Sequence, residues 1–282
     1  MLKLTNNTIK CEIETVGAEI CSLKNEQTGK EYIWQGMPGK WNRHAPILFP
    51  CVGRMNGDAY IHNDKTYYMQ KHGFARNMPF KILCADKTTA YFRLTNEEST
   101  EQVFPFKFEI DVIYELVENT LKCNYIVRNL SNETMYFSLG FHPGFNIKIG
   151  DKLKFSHKET MTVPYLNGSD VEEDKNNHLI FDNRDELVLT NDLFEKGSLS
   201  FPKIKSKSIS IVDQTGHTYL TESYNKASTL WLWANPGAEF VCIEPWSGSD
   251  ERFPEQILSK KKGILKLDCG KSHTLSVDIT ID

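Results

Sequence analysis

A two-residue hydrophobic period along nearly the whole chain, turn residues between the apolar runs and the want of any full helical period predict an all-β, mostly antiparallel fold. So many strands are expected to form one large two-sheet β-sandwich. A chain of 282 residues with 40% hydrophobic content can bury such a core as a single domain, residues 1–282. Ile9, Cys11 and Ile13 alternate with charged neighbours, as do Phe80, Ile82 and Cys84. Asn63-Asp64 divides Tyr60–His62 from Lys65–Tyr68, and Asp86-Lys87 precedes Thr89–Leu94. Phe106, Phe108, Ile110, Val112, Tyr114 and Leu116 mark a long half-buried strand, which Glu118-Asn119 separates from Leu121, Cys123, Tyr125 and Val127. Further on, Gln214-Thr215-Gly216 joins Ser208–Val212 to Thr218–Thr221, and Asn235-Pro236-Gly237 joins Leu230–Trp233 to Glu239–Glu244. Ile264–Leu267 and Leu275–Ile281 complete the strands. Asn191–Lys196 and Pro254–Lys260 invite short helices, and the polar run Asn167–Asn177 reads as an exposed excursion.

Composition excludes several functions. A formal net charge of −4 with both signs interspersed offers no basic stripe for nucleic acid and no polybasic arm for a membrane surface. Met1–Ile20 lacks the apolar core of a signal peptide, and no run approaches the length of a membrane span, so a cytoplasmic location is expected. Seven cysteines without a C-x-x-C pair suit a reducing compartment and give neither a disulfide framework nor a structural zinc site. The eight histidines include no H-E-x-x-H, which argues against a zinc hydrolase.

The chemistry concentrates where strand-like runs meet proline. In Ser138-Leu139-Gly140-Phe141-His142-Pro143-Gly144-Phe145-Asn146, Pro143 pushes His142 toward extended backbone, while Gly140 and Gly144 leave room for close approach. In Val241-Cys242-Ile243-Glu244-Pro245-Trp246 another apolar run delivers a carboxylate ahead of a proline. His142 and Glu244 therefore form a candidate acid/base pair, although either alone is more often a satisfied structural group. Two other stretches carry polar groups on apolar runs: Ala45–Arg54, ending in Gly53-Arg54, and Lys71-His72-Gly73-Phe74-Ala75-Arg76. The intervening hairpin can bring Arg54 and His72 to face one site, with Arg76 at its rim; each also has a plain structural reading.

The succession W-x-x-x-A-P-I-L-F-P-x-V-G-R, K-H-G-F-A-R, G-F-H-P-G-F-N and C-I-E-P-W-S-G, in this order, resembles the aldose 1-epimerase (galactose mutarotase-like) family, in particular its LacX-like branch, over about residues 2–281. The resemblance implies a β-sandwich of unusual size, a cofactor-independent isomerase and a small sugar as substrate. It also implies His142 as general acid and Glu244 as general base, with Arg54 and His72 binding and polarising the sugar and Arg76 in the same motif. Anomer interconversion needs the anomeric hydroxyl deprotonated and the ring oxygen protonated. A carboxylate and an imidazolium on opposite sides of the reacting carbon can do this, His142 with little tuning of its pKa and Glu244 with partial burial.

Trp246 can stack on a pyranose or pack the core, whereas Trp231 and Trp233, on one side of a strand, read as core. Asp250 reads as a turn cap and His44 as either structural or functional. Better-known galactose mutarotases use a further aspartate between the histidine and the glutamate. Asp192 and Asp213 are available here, but neither lies in a matching motif. Two alternatives remain open: a hexose-6-phosphate 1-epimerase, with Arg54 and Arg76 on the phosphate, and a non-catalytic sugar-binding module on the same fold.

Overall fold

The computed structural model describes residues 1–166, 178–248 and 255–282. The expected excursion 167–177 and Asp250 lie outside the described residues. Thirteen strands follow one hydrogen-bonded path. It begins at Ile47–Leu48 and passes through Leu139–Phe141, Phe240–Ser247, Thr229–Trp233 and Ser198–Pro202 to Lys152–Leu166. It continues through Ser208–Val212, Thr218–Asn225, Ser272–Ile281, Thr120–Asn129, Phe108–Val117 and Thr89–Thr95 to Lys81–Ala85. The ladders along it are antiparallel. The expected antiparallel β-sandwich is thus observed, with hydrogen bonding continuous between its two layers. The fifteen-residue strand Lys152–Leu166 pairs at its start with Ser208–Val212 and at its end with Ser198–Pro202, carrying the hydrogen bonding from one layer into the other.

Local sequence explains the pairings. Asn63 and Asp64 both take positive φ, the two-residue hairpin geometry that such residues tolerate, and close Ala59–His62 onto Lys65–Tyr68. Glu118 (φ 51°) does the same between the two ten-residue strands Phe108–Val117 and Thr120–Asn129. Thr120–Asn129 alternates half-buried and buried positions along its whole length, with Leu121, Cys123, Tyr125 and Val127 inward. These join one continuous hydrophobic core that runs from Leu4 to Ile281. A separate small cluster of Leu48, Val52, Trp231 and Trp246 lies apart from it.

Helical structure is scant. Residues 191–196 form successive turns rather than a helix, and of the expected helix Pro254–Lys260, whose first residue lies outside the described residues, only Leu258–Lys260 is helical, as a single 3₁₀ turn. Neither has an amphipathic period to hold a longer helix. One α-turn, Glu98–Glu101, closes instead with a reciprocal capping box between Glu97 and Thr100. Among the described residues no helix is long and apolar enough to cross a membrane.

The segment that carries Arg54 and His72 is laced onto the histidine strand. His142 N–H donates to Pro46 O (3.1 Å) and Ser138 N–H to Pro50 O (2.9 Å), while Ser138 Oγ accepts from Val52 N–H (2.9 Å). His72 N–H donates to Gly53 O (2.7 Å), and Gly73 pairs with Phe49 as an isolated bridge. Gly73 has φ 68°, and a Cβ there would stand 2.2 Å from Phe49 O. Gly73→Ala is therefore expected to lower stability by roughly 3 kcal/mol or more, through left-handed strain and overpacking together. Chemical denaturation checks this; an unchanged midpoint would contradict the close approach.

Candidate active site

Strand register, not chain proximity, brings His142 to Glu244. Gly140 pairs with Trp246 and Gly144 with Cys242. Counting inward from both pairs, residue 142 falls opposite residue 244. Pro143 has no N–H and interrupts the pairing there, leaving two three-residue strands, Leu139–Phe141 and Gly144–Asn146, with the imidazole in the gap between them. The result is a contact of 3.3 Å between His142 Nε2 and Glu244 Oε2. The room left by the glycines is filled by indoles: a Cβ on Gly140 would lie 2.6 Å from the Trp246 ring, and one on Gly144 would lie 2.6 Å from the Trp41 ring.

Aromatic groups box the pair in. Trp41 stacks on His142 with ring centroids 5.0 Å apart, Trp233 meets both rings edge-on, and His72 meets His142 at 5.5 Å and Trp246 at 5.9 Å. Trp231 lies opposite Glu244 and Trp233 opposite Cys242 on the next strand, and Trp231 stacks on Trp246 at 4.5 Å. Trp231 and Trp233, read from the sequence as core packing, are therefore walls of the site. A cleft of about 450 Å³ opens over the pair. Trp41, Trp231, Trp233 and Trp246 line it with Leu166 and Phe194, and His142, His72 and Glu244 are at its floor and side. Charged and polar groups complete the wall: Arg54, Lys71, Arg76, Lys196, Glu195 and Asn235.

Burial sets the protonation states. Exclusion from water pushes the His142 pKa down from 6.5 to about 3, with the nearby Lys71 and Arg76 charges acting in the same direction. The same exclusion holds the Glu244 carboxyl well above its ordinary value, with Lys71 and the Trp246 N–H pulling the other way. These directions disfavour the charged form of each group, so burial favours a neutral contact over an ion pair. The register makes the two groups cross-strand neighbours.

His72 is likewise neutral, depressed well below its ordinary value by burial and by His142. Its Nδ1 accepts from Gly53 N–H (3.0 Å), which leaves the proton on Nε2. Arg76 sits half-buried and donates to Lys71 O (2.7 Å); burial and the neighbouring Arg43 lower its pKa to about 10. Arg54 reaches only the rim, 46% exposed and paired with Asp58 at 3.1 Å. Its position next to the conformationally free Gly53 turns it outward, away from the acid/base pair.

Asp192 and Asp213 are not in the cleft wall. Asp213 accepts from Thr215 and His217 in its own turn, and Asp192 is fully exposed beside Thr190. His44 is structural, its Nδ1 bonded to Trp34 O (2.8 Å). Lys71, Trp41 and Asn235 were not singled out in the sequence. Lys71 and Trp41 sit inside the quoted motifs, and the glycine after His142-Pro143 was the available signal for an indole over that strand.

A match to the aldose 1-epimerase family model spans residues 1–280. The chain belongs to the aldose 1-epimerase family. It is similar to the chromosomal protein LacX of Lactococcus lactis subsp. lactis, 29% identical over 99% of both chains. Among solved structures it is similar to a galactose mutarotase related enzyme from Lactobacillus acidophilus, with 33% identity, a TM-score of 0.90 and coverage of 100% of this chain and 97% of that one. A galactose mutarotase-like protein from Lactobacillus casei matches with a TM-score of 0.91 and 28% identity over both full lengths. The family assignment and these neighbours support a sugar epimerase or mutarotase of the isomerase class.

The neutral pair has a titration signature. Folded pKa values below the unfolded ones mean that His142 and His72 favour the folded state at neutral pH, a contribution lost as pH falls below about 6.5. In nitrogen-15 spectra both rings are expected to stay neutral at pH 5, where an exposed histidine is protonated. A midpoint near 6.5 for His142 would contradict the site as described.

Proposed function

We propose that the chain is an aldose mutarotase, interconverting the α and β anomers of an aldohexose by ring opening. The observation that carries this is the 3.3 Å contact between His142 and Glu244 on the floor of an aromatic cleft. The anomeric hydroxyl and the ring oxygen are borne by one carbon, so a sugar lying over two adjacent catalytic groups presents one oxygen to each. Glu244 as carboxylate removes the anomeric proton while His142 as imidazolium protonates the ring oxygen. The bond from that oxygen to the anomeric carbon breaks and an aldehyde forms. Rotation about the adjoining carbon–carbon bond and reclosure with both protons returned gives the other anomer. After opening, Glu244 is protonated and His142 neutral, which is the form that burial favours; the ionic form is stabilised by hydrogen bonds to the arriving sugar. His72 Nε2–H donates to a sugar oxygen, and Trp246 and Trp41 receive the apolar faces of the ring.

A second reading rests on charge. Arg54, Lys71, Arg76 and Lys196 outnumber Glu195 and Glu244 around the cleft, and an anionic group on the sugar, such as a 6-phosphate, matches that excess. Arg54 and Lys196 are exposed at the rim, far enough out to meet such a group without touching the reacting carbon.

Polarimetry or exchange NMR on glucose, galactose and their 6-phosphates tests both readings. Glu244→Gln and His142→Asn are each expected to slow anomer exchange by about 10²–10⁴-fold, and undiminished rates would overturn the mutarotase assignment. If the physiological sugar is phosphorylated, Arg54→Ala and Lys196→Ala raise KM for the 6-phosphates by about 10–100-fold and leave the neutral sugars alone. Equal effects on both classes of sugar would remove the second reading.

A further inference from the structure

Cys242 stands two residues before Glu244 on one strand, so both side chains leave the same face, and nothing in the ring-opening chemistry uses its thiol. Its cross-strand partner is Gly144, two residues from His142 on the facing strand. One ligand atom from each of His142, Cys242 and Glu244 lies within 4.8 Å of the others, and all three residues are buried. We infer that these three side chains form a binding site for a thiophilic divalent cation of the zinc class, whose occupation blocks the acid/base pair.

The donor chemistry selects the ion. A thiolate, an imidazole and a carboxylate together suit zinc, cadmium or cobalt and disfavour magnesium and calcium, which take all-oxygen shells. Donors about 2.0–2.3 Å from a tetrahedral ion stand roughly 3.3–3.8 Å apart. His142 and Glu244 are already at that spacing, and Cys242 needs a displacement of about 1 Å or less. Three protein ligands leave the fourth position facing the cleft, which is also the path of entry, since His142 and Glu244 line it. Binding replaces the thiol proton and the Glu244 carboxyl proton, both of which pass to solvent. The cation then holds the two atoms that proton transfer requires.

Cobalt(II) provides the readout, in protein carrying Cys84→Ser and Cys269→Ser to remove the exposed thiols. One equivalent is expected to produce a thiolate-to-cobalt charge-transfer band, and zinc is expected to displace it. Cys242→Ser should abolish the band and weaken binding by at least the roughly 10–100-fold that even an outer-shell change costs. Zinc is expected to inhibit anomer exchange by the parent protein, and Cys242→Ser to turn over sugar without that inhibition. Cys242→Ala gives the same comparison if serine packs poorly in this apolar setting. No thiolate band in the parent, or an equal band in both Cys242 variants, would overturn the site. The band is recorded without sugar, so its absence counts against the metal site alone, whereas an active Glu244→Gln would count against the acid/base reading on which the inhibition rests.

Discussion

The antiparallel register between the histidine strands and Phe240–Ser247 is the constraint from which the rest of the site follows. Because Gly140 meets Trp246 and Gly144 meets Cys242, the position between them can only be filled by His142 facing Glu244. A slip of one residue would turn Glu244 to the opposite face and break the pair. The register is pinned from both sides: Thr229–Trp233 pairs along one edge of Phe240–Ser247, and Ile47–Leu48 pairs with Leu139–Phe141 on the other flank. The site is thus as rigid as the sheet. The indoles of Trp246 and Trp41 occupy the two places where larger residues than glycine would have kept them out.

Rigid placement has an electrostatic consequence. A histidine and a glutamate held side by side out of water gain little from opposite charges, and burial shifts each toward its neutral form, His142 downward and Glu244 upward. Lys71 and Arg76 set the sign of the surrounding field: both disfavour the imidazolium, and Lys71 favours the carboxylate. The same closeness brings the Cys242 sulfur within 4.8 Å of the ligand atoms of His142 and Glu244.

Much of the fold was legible because hairpins are local. Asn63-Asp64, Glu118-Asn119 and Asn235-Pro236-Gly237 each sit at a turn, and the alternation of Thr120–Asn129 carries directly into its burial. His142 and Glu244 stood out as polar groups before proline, although Glu244 lies inside the strand Phe240–Ser247 and not at its end. Their contact geometry was not legible, since it depends on a pairing between segments about a hundred residues apart. Trp231 and Trp233 illustrate the same limit: alternation says that they share a face, but not whether that face meets the core or a cleft. Arg54 followed its motif to the right region yet turned outward to Asp58. Lys71 opens the K-H-G-F-A-R motif, yet its influence on His142 and Glu244 arises only in three dimensions.

If one proton serves both residues, they work as a unit, and units fail non-additively. A double-mutant cycle on the anomer-exchange rate, with His142→Asn, Glu244→Gln and the two combined, measures this. The shared proton requires the double variant to be about as slow as the slower single variant. Losses that multiply would mean two independent residues and would contradict it.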